Sequence, residues 1–292
     1  MSVNNAFTLH IGAGQTLAVE DVCSVARERV HTAFSPEAVE AVHASRRIVD
    51  ELVEGGVVAY GITTGFGSFK DKIIPKEDVA ALQKNLLRSH SCGVGQPFSI
   101  EEVRAMMLVR LHSLSQGYSG IRMETLLLAC EMLNRGVTAV VPSKGSVGSS
   151  GDLAPLSHMG LVLMGEGEAW VKHERLSGAQ ALAAVDLSPV ELEAKEGLAW
   201  NNGTSVMTGL AALSMRKCAL LVQLADIAGA LTFEALQGCT DALDSRSQAV
   251  RRQAGEQQSA KFLRRLLGGS ALVNAVPGRI QDGYSLRCAP QV

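Results

Sequence analysis

The stretch from Val206 to Leu236, VMTGLAALSMRKCALLVQLADIAGALTFEAL, constrains the fold more than any other part of the chain. It is apolar and almost uncharged, interrupted by Arg216, Lys217 and Asp226. Those charges argue against a bilayer span, and the pattern predicts one long buried helix. A helix this apolar must hide its faces. Few helices follow it before Val292, so the expectation is a homo-oligomer with helix packing between subunits, or a retained C-terminal fragment.

The other helices read from caps and periodicity. SPEAVEAVHASRRIVDELVEGG opens with Ser35 as cap and Pro36 in the first turn, and closes on Gly55. SIEEVRAMMLVRLHSL carries Ser99 with Glu102 three residues on, a capping box. PKEDVAALQKNLLRSH, METLLLACEMLN and QAVRRQAGEQQSAKFLRRLLGG read as further helices. The expected fold class is therefore mainly α. A compact N-terminal domain spans 1–205, and 206–292 form the first long helices of an incomplete helical bundle.

Composition removes several function classes. With 47% hydrophobic and 19% charged residues, the chain reads as well buried and soluble. A net charge of −2 argues against a nucleic-acid or anionic-membrane partner. MSVNNAFTLHIG lacks a basic segment followed by an apolar core, so no signal peptide is expected. The six cysteines include no CxxC pair and read as free core thiols in a reducing, cytoplasmic setting. The histidines lack ligand spacing. His10, His31, His43, His112 and His173 read as structural or surface groups, and no metal site is expected.

Glycine-dense joints lie between the helices, and GSVGSSGDLAPLSHMG, Gly145 to Gly160, is the densest. It is no P-loop, since no GK[ST] follows, and no GxSxG elbow, since Asp152 stands two after Ser150. A tight turn feeding a helix capped by Asp152 accounts for part of it. A second chemistry accounts for the rest. If the nitrogen of Gly151 attacks the carbonyl carbon of residue 149, a five-membered ring closes, and only glycine leaves that nitrogen easy to reach. Loss of water from Ser150 then leaves a methylidene group conjugated to the ring. The product is an electrophile made from the backbone.

This stretch closely resembles the signature of the aromatic amino acid ammonia-lyases and their aminomutase relatives, in which an Ala-Ser-Gly tripeptide cyclises to methylidene-imidazolone. YGITTGFG, GYSGIR, EGLA followed by NGT, and QDGYSLRC stand in the family's order, so the resemblance runs almost the whole chain. It implies that Ser149, Ser150 and Gly151 cyclise autocatalytically without a metal, and that Asp152 assists. It implies that Tyr60 removes the β-proton of a small amino acid substrate and that Asn202 touches substrate and prosthetic group. Gln281, Tyr284 and Arg287 match a cluster near the active centre, with Arg287 pairing the substrate carboxylate; a guanidinium fork suits that task. It also implies a homotetramer in which three subunits build each site.

Ser89-His90 in LLRSHSCGVG matches the side-chain pocket and resembles the histidine branch, which forms urocanate from L-histidine. The plainer account of His90 is a helix-terminal ring capping carbonyls. Tyr118 reads as a core tyrosine. Several positions depart from the pattern. Ser149 replaces alanine, Ser205 replaces the glutamine of the histidine branch, Gly283 replaces a proline, and Trp200-Asn201 replace two aliphatic residues. Family members also continue well past RCAPQV. The alternatives are therefore a tyrosine or phenylalanine lyase or aminomutase, or a non-catalytic lyase-like fragment.

Overall fold

Local capping sets where the helices begin. In the computed structural model, which describes residues 7–292, Ser35 Oγ accepts from the Ala38 N–H at 3.1 Å and Pro36 opens its helix. The Glu102 N–H donates to Ser99 Oγ at 3.3 Å, and Glu102 Oε2 accepts from the Ser99 N–H at 2.7 Å, closing the reciprocal box. Residues 1–6, part of the segment read for a signal peptide, lie outside the described residues.

The elements, in chain order, begin with β1 (Thr8–Ile11), α1 (Val19–Cys23), β2 (His31–Phe34), α2 (Pro36–Glu54), α3 (Val79–His90), β3 (Val94–Pro97), α4 (Ile100–Leu114) and α5 (Met123–Arg135). They continue through β4 (Thr138–Ala139), β5 (Pro142–Lys144), α6 (Leu153–Leu163), β6 (Glu168–Val171), β7 (Glu174–Ser177), α7 (Gly178–Ala183) and α8 (Glu196–Asn201). Helices α9 (Ser205–Ala235), α10 (Ser245–Arg251), α11 (Ala254–Leu266) and α12 (Tyr284–Arg287) complete the chain. The protein is mainly α. Its strands form a parallel pair β1-β2, an antiparallel pair β3-β5 and an antiparallel sheet β4-β6-β7.

The chain divides into two compact units, 1–215 and 216–292, with the division inside α9. The first unit packs α4, α5, α6 and α8 around Met106, Leu108, Leu126, Met132, Met159 and Trp200, all fully buried. Buried charges clamp its connections. Arg104 donates to the carbonyls of Val25 and Leu133, and burial draws its guanidinium down to about 10. Glu196, wholly buried, accepts from the Arg122 Nη2 at 2.7 Å, the Thr125 hydroxyl at 2.6 Å and the Glu193 N–H at 2.9 Å.

The second unit packs Phe233, Leu243, Leu263 and Leu286 into a small core. The stretch expected as one helix from Gln248 to Gly269 is two. Arg252 adopts a left-handed φ of 57°, which ends the α10 hydrogen-bond ladder, and α11 restarts at Ala254. Arg251 Nε then reaches the buried Glu256 at 2.8 Å across the break.

Helix α9 corrects a second expectation. It is long, as its sequence requires, but Leu221, Val222 and Leu231 are each more than 60% exposed within this chain. On length and apolar composition α9 does meet the requirement for crossing a bilayer, despite Arg216, Lys217 and Asp226. The cysteines are free, but only Cys23 and Cys130 are buried; Cys92 and Cys218 are exposed. Tyr118, expected in the core, is 94% exposed. It follows Gly117, whose φ of +82° turns the chain sharply after α4.

Candidate active site

The loop between β5 and α6 is shaped by three demands on the backbone. Gly148, Ser150 and Gly151 have φ values of 71°, 56° and 90°. For a serine the left-handed region is strained, and such residues persist only where their surroundings hold them. Here Gly203 does so. The Gly203 N–H donates to the Ser150 carbonyl at 3.1 Å, and the Gly203 carbonyl accepts from the Asp152 N–H at 2.7 Å, forming an isolated parallel bridge between Gly151 and Gly203. A Cβ on residue 151 would stand 2.0 Å from the Gly203 carbonyl oxygen. Among the described residues neither the Ser149 carbonyl nor the Gly151 N–H has a hydrogen-bond partner. Ser149 and Ser150 are exposed.

Asp152, 1% exposed, is the N-cap residue of α6 but its carboxylate does not cap that helix. Oδ2 accepts from the Met207 N–H at 3.0 Å in the first turn of α9, and Oδ1 accepts from Ser146 Oγ at 3.1 Å. The carboxylate thus sits at the positive end of α9 and ties it to the loop. Arg110 lies nearby, 2% exposed. It donates to the Ala199 carbonyl, to the Asn202 carbonyl at 2.8 Å and to Ser205 Oγ at 3.4 Å. Burial draws its guanidinium down to about 10, and the charge of Asp152 opposes that shift. Sequence reasoning missed Arg110 because nothing local distinguishes it from other helix arginines.

Helix α8 is the mount for the remaining candidates in this unit. Trp200 and Asn201, two of the departures from the family pattern, are fully buried and pin α8 to α6. Trp200 Nε1 donates to the Leu156 carbonyl at 2.9 Å and Asn201 Nδ2 to Ser157 Oγ at 3.2 Å. Asn202, at the end of α8, is exposed beside the Gly151–Gly203 bridge. Tyr60 is 60% exposed in a turn held by Thr63 Oγ1, which donates to the Val57 carbonyl at 2.7 Å. The next residue, Gly61, packs on Leu198 of α8, where a Cβ would stand 2.6 Å from its side chain.

His90 ends α3, which meets α8 through the Leu198 N–H donating to Gln83 Oε1 at 3.2 Å. Its Nδ1 lies 2.9 Å from the Leu86 carbonyl, so the carbonyl-capping account holds. Ser89 Oγ lies 3.1 Å from the same nitrogen, so Nδ1 is engaged within the helix end and Nε2 is the nitrogen left without a partner among the described residues.

In the second unit, Arg287 Nη1 donates to Gln281 Oε1 at 3.0 Å, and the guanidinium stacks 4.1 Å from the Tyr284 ring centre. Tyr284 is exposed, and the buried Arg287 Nε has no partner among the described residues. Among the described residues no group of three or more His, Cys, Asp or Glu side chains is placed to hold a metal ion.

The sequence model of the family described as aromatic amino acid lyase matches residues 17–292. The chain belongs to this family. It is 52% identical over 281 residues to a histidine ammonia-lyase of Gloeobacter violaceus, covering 96% of this chain and 55% of that protein. It is similar to the crystal structure of histidine ammonia-lyase from Trypanosoma cruzi, with a TM-score of 0.86 and 35% identity over 98% of this chain and 53% of that one. It is also similar to tyrosine aminomutase from Streptomyces globisporus, with a TM-score of 0.90 and 36% identity over 98% of this chain and 57% of that one. The chain spans about half the length of the curated relatives it matches. Lyases and aminomutases thus share this architecture, and a choice between their reactions must rest on side chains.

Proposed function

We propose that this chain carries the electrophile-forming part of an ammonia-lyase that eliminates ammonia from L-histidine to give urocanate. The observation that carries the reading is the hydrogen-bond pattern at residues 149–152. The two groups that ring closure would join, the Ser149 carbonyl and the Gly151 N–H, are unpaired among the described residues, while the two groups flanking them are fixed to Gly203. The glycine requirement at 151, set by the Gly203 carbonyl, fits the same group.

Methylidene-imidazolone, when formed from Ser149, Ser150 and Gly151, supplies an electron sink that eases departure of the substrate amino group. The side chains do the rest. Tyr60 takes the β-proton at its phenol oxygen and is open to substrate. Asn202 hydrogen-bonds substrate beside the tripeptide. His90 Nε2 hydrogen-bonds the substrate imidazole, its Nδ1 being engaged by Leu86 and Ser89. Arg287, steadied by Gln281 and the Tyr284 ring, pairs the substrate carboxylate. Asp152 holds the loop against α9. No metal takes part in this scheme. The partner is a small amino acid rather than nucleic acid or membrane. The assembly is a cytoplasmic homo-oligomer, a tetramer by resemblance, in which the exposed middle of α9 is covered by other helices.

Ser205, the departure that favoured the tyrosine branch, is 4% exposed and engages Arg110, so it has an account that does not involve substrate. Offering the protein L-histidine and L-tyrosine separately tests the reading. Urocanate from the first and no coumarate from the second is expected; coumarate, or an isomerised amino acid, would assign it to the tyrosine branch.

A further inference from the structure

We propose that Arg110 is a positioning residue that presets the backbone of residues 149–151 for ring closure, acting through Gly203; the inference rests on the proposed prosthetic group. Ring closure forms a bond from the Gly151 nitrogen to the Ser149 carbonyl carbon. The carbonyl oxygen leaves as water with the N–H protons of Gly151 and Ser150. The Ser150 hydroxyl leaves as a second water with that residue's Cα proton. Both losses need the tripeptide held bent, with its reacting groups free.

Gly203 supplies that restraint from one side, and Arg110 supplies Gly203 from the other. The Arg110 Nη2 donates to the carbonyls of Ala199 and Asn202, fixing the end of α8 and the residue before Gly203. Its Nη1 donates to Ser205 Oγ, two residues after Gly203. The same Nη1 stands 2.7 Å from where a Cβ on Gly203 would project, so the guanidinium packs directly against the glycine. On its other side Gly203 grips Ser150 and Asp152. The tripeptide, Gly203 and the guanidinium are thus stacked. Only a planar fork reaches acceptors on both sides of Gly203 at once, which a lysine cannot do. Keeping a desolvated cation here, with Nε unpaired among the described residues, is expensive for a role that simple apolar packing could fill. Arg104, one turn and a half earlier on α4, clamps Val25 and Leu133 instead and serves as an internal control.

The test compares the wild-type chain with Arg110→Lys, Ser205→Ala and Arg104→Lys, taking only protein of wild-type helical circular dichroism. The readout is the fraction of the peptide spanning residues 149–151 that has lost two waters. Arg110→Lys is expected to slow that loss by about tenfold to 100-fold, Ser205→Ala less, and Arg104→Lys not at all. Dehydration of Arg110→Lys at the wild-type rate overturns the role of Arg110 and leaves the ring intact as a proposal; a wild-type peptide at full mass overturns the ring itself. A second readout works without the ring. In a Ser150→Ala background, Arg110→Lys is expected to speed exchange of the Asp152 amide about tenfold relative to that of Leu108. Arg110→Met, which fills the same space without a buried charge, supplies the same comparison if Arg110→Lys does not fold. Unchanged Asp152 exchange in the folded variants overturns the positioning role.

Discussion

The Gly203 carbonyl oxygen occupies the space into which a side chain on residue 151 would project, 2.0 Å from the position of its Cβ. The clash is with backbone that is itself hydrogen-bonded to Asp152 and packed on Arg110, so it has no easy relief.

Gly151→Ala is therefore expected to open the bridge to Gly203. The left-handed φ of 90° adds strain of about 1–3 kcal/mol to the overlap. The variant should keep its helical circular dichroism, because the helices of the first unit are held by their own buried core, but should lose the near-ultraviolet absorbance of a mature site. A variant that matures normally would show that the bridge is dispensable.

Glu196 anchors α8, and α8 carries Asn202. The carboxylate is fully buried and receives donors from Arg122, Thr125 and Glu193. Glu196→Gln leaves the Arg122 guanidinium without its charge partner at that end, and is expected to lower unfolding free energy by about 3 kcal/mol. Urea unfolding followed by circular dichroism measures it, and a loss below 1 kcal/mol would class the pair with surface ion pairs.

Two half-buried histidines make stability fall in acid. Gly93 N–H donates to His158 Nε2 at 3.1 Å and Gly12 N–H to His112 Nδ1 at 3.2 Å, so each ring must be neutral at that nitrogen. Burial pushes both below the ordinary histidine value. The unfolded chain then binds these protons more readily than the folded one. Their contribution is complete above about pH 6.5 and is lost as pH falls through the lower folded values. The double variant His158→Gln, His112→Asn keeps neutral acceptors and should show a flatter urea midpoint between pH 7 and pH 5. An unchanged slope would assign the acid sensitivity to carboxylates alone.

How much of this was legible in the sequence follows the distance over which each interaction acts. Ser35 capping Ala38, and Ser99 with Glu102, are contacts three residues apart, and they read directly. The tripeptide read from chemistry, since the glycine and serine it needs are adjacent. Asp152 gripping Met207 and Arg110 gripping Asn202 join residues far apart in the chain, and no local pattern announces them. The left-handed Arg252 splits a helix whose periodicity runs unbroken through it. Tyr118 is exposed because a turn directs it outward, which composition does not register. The length of α9 was plain from its apolar run, whereas its exposure along Leu221, Val222 and Leu231 is set by tertiary packing that no local pattern carries.

The exposed middle of α9 predicts association. Leu221, Val222 and Leu231 present apolar surface of a kind that soluble monomers seldom leave uncovered. Light scattering should report a mass above that of one chain, and Leu221→Glu should shift it towards the monomer. A stable, soluble monomer of the unaltered chain would contradict this.

The central claim is that Ser149, Ser150 and Gly151 become the electrophile, and the mass of the peptide containing them tests it most directly. The wild-type peptide is predicted to be lighter than its sequence by two waters, and the same peptide from Ser150→Ala, which has no hydroxyl to lose, is predicted to be lighter than its own sequence by one water at most. A wild-type peptide at its full sequence mass, from folded and correctly assembled protein, would contradict the account.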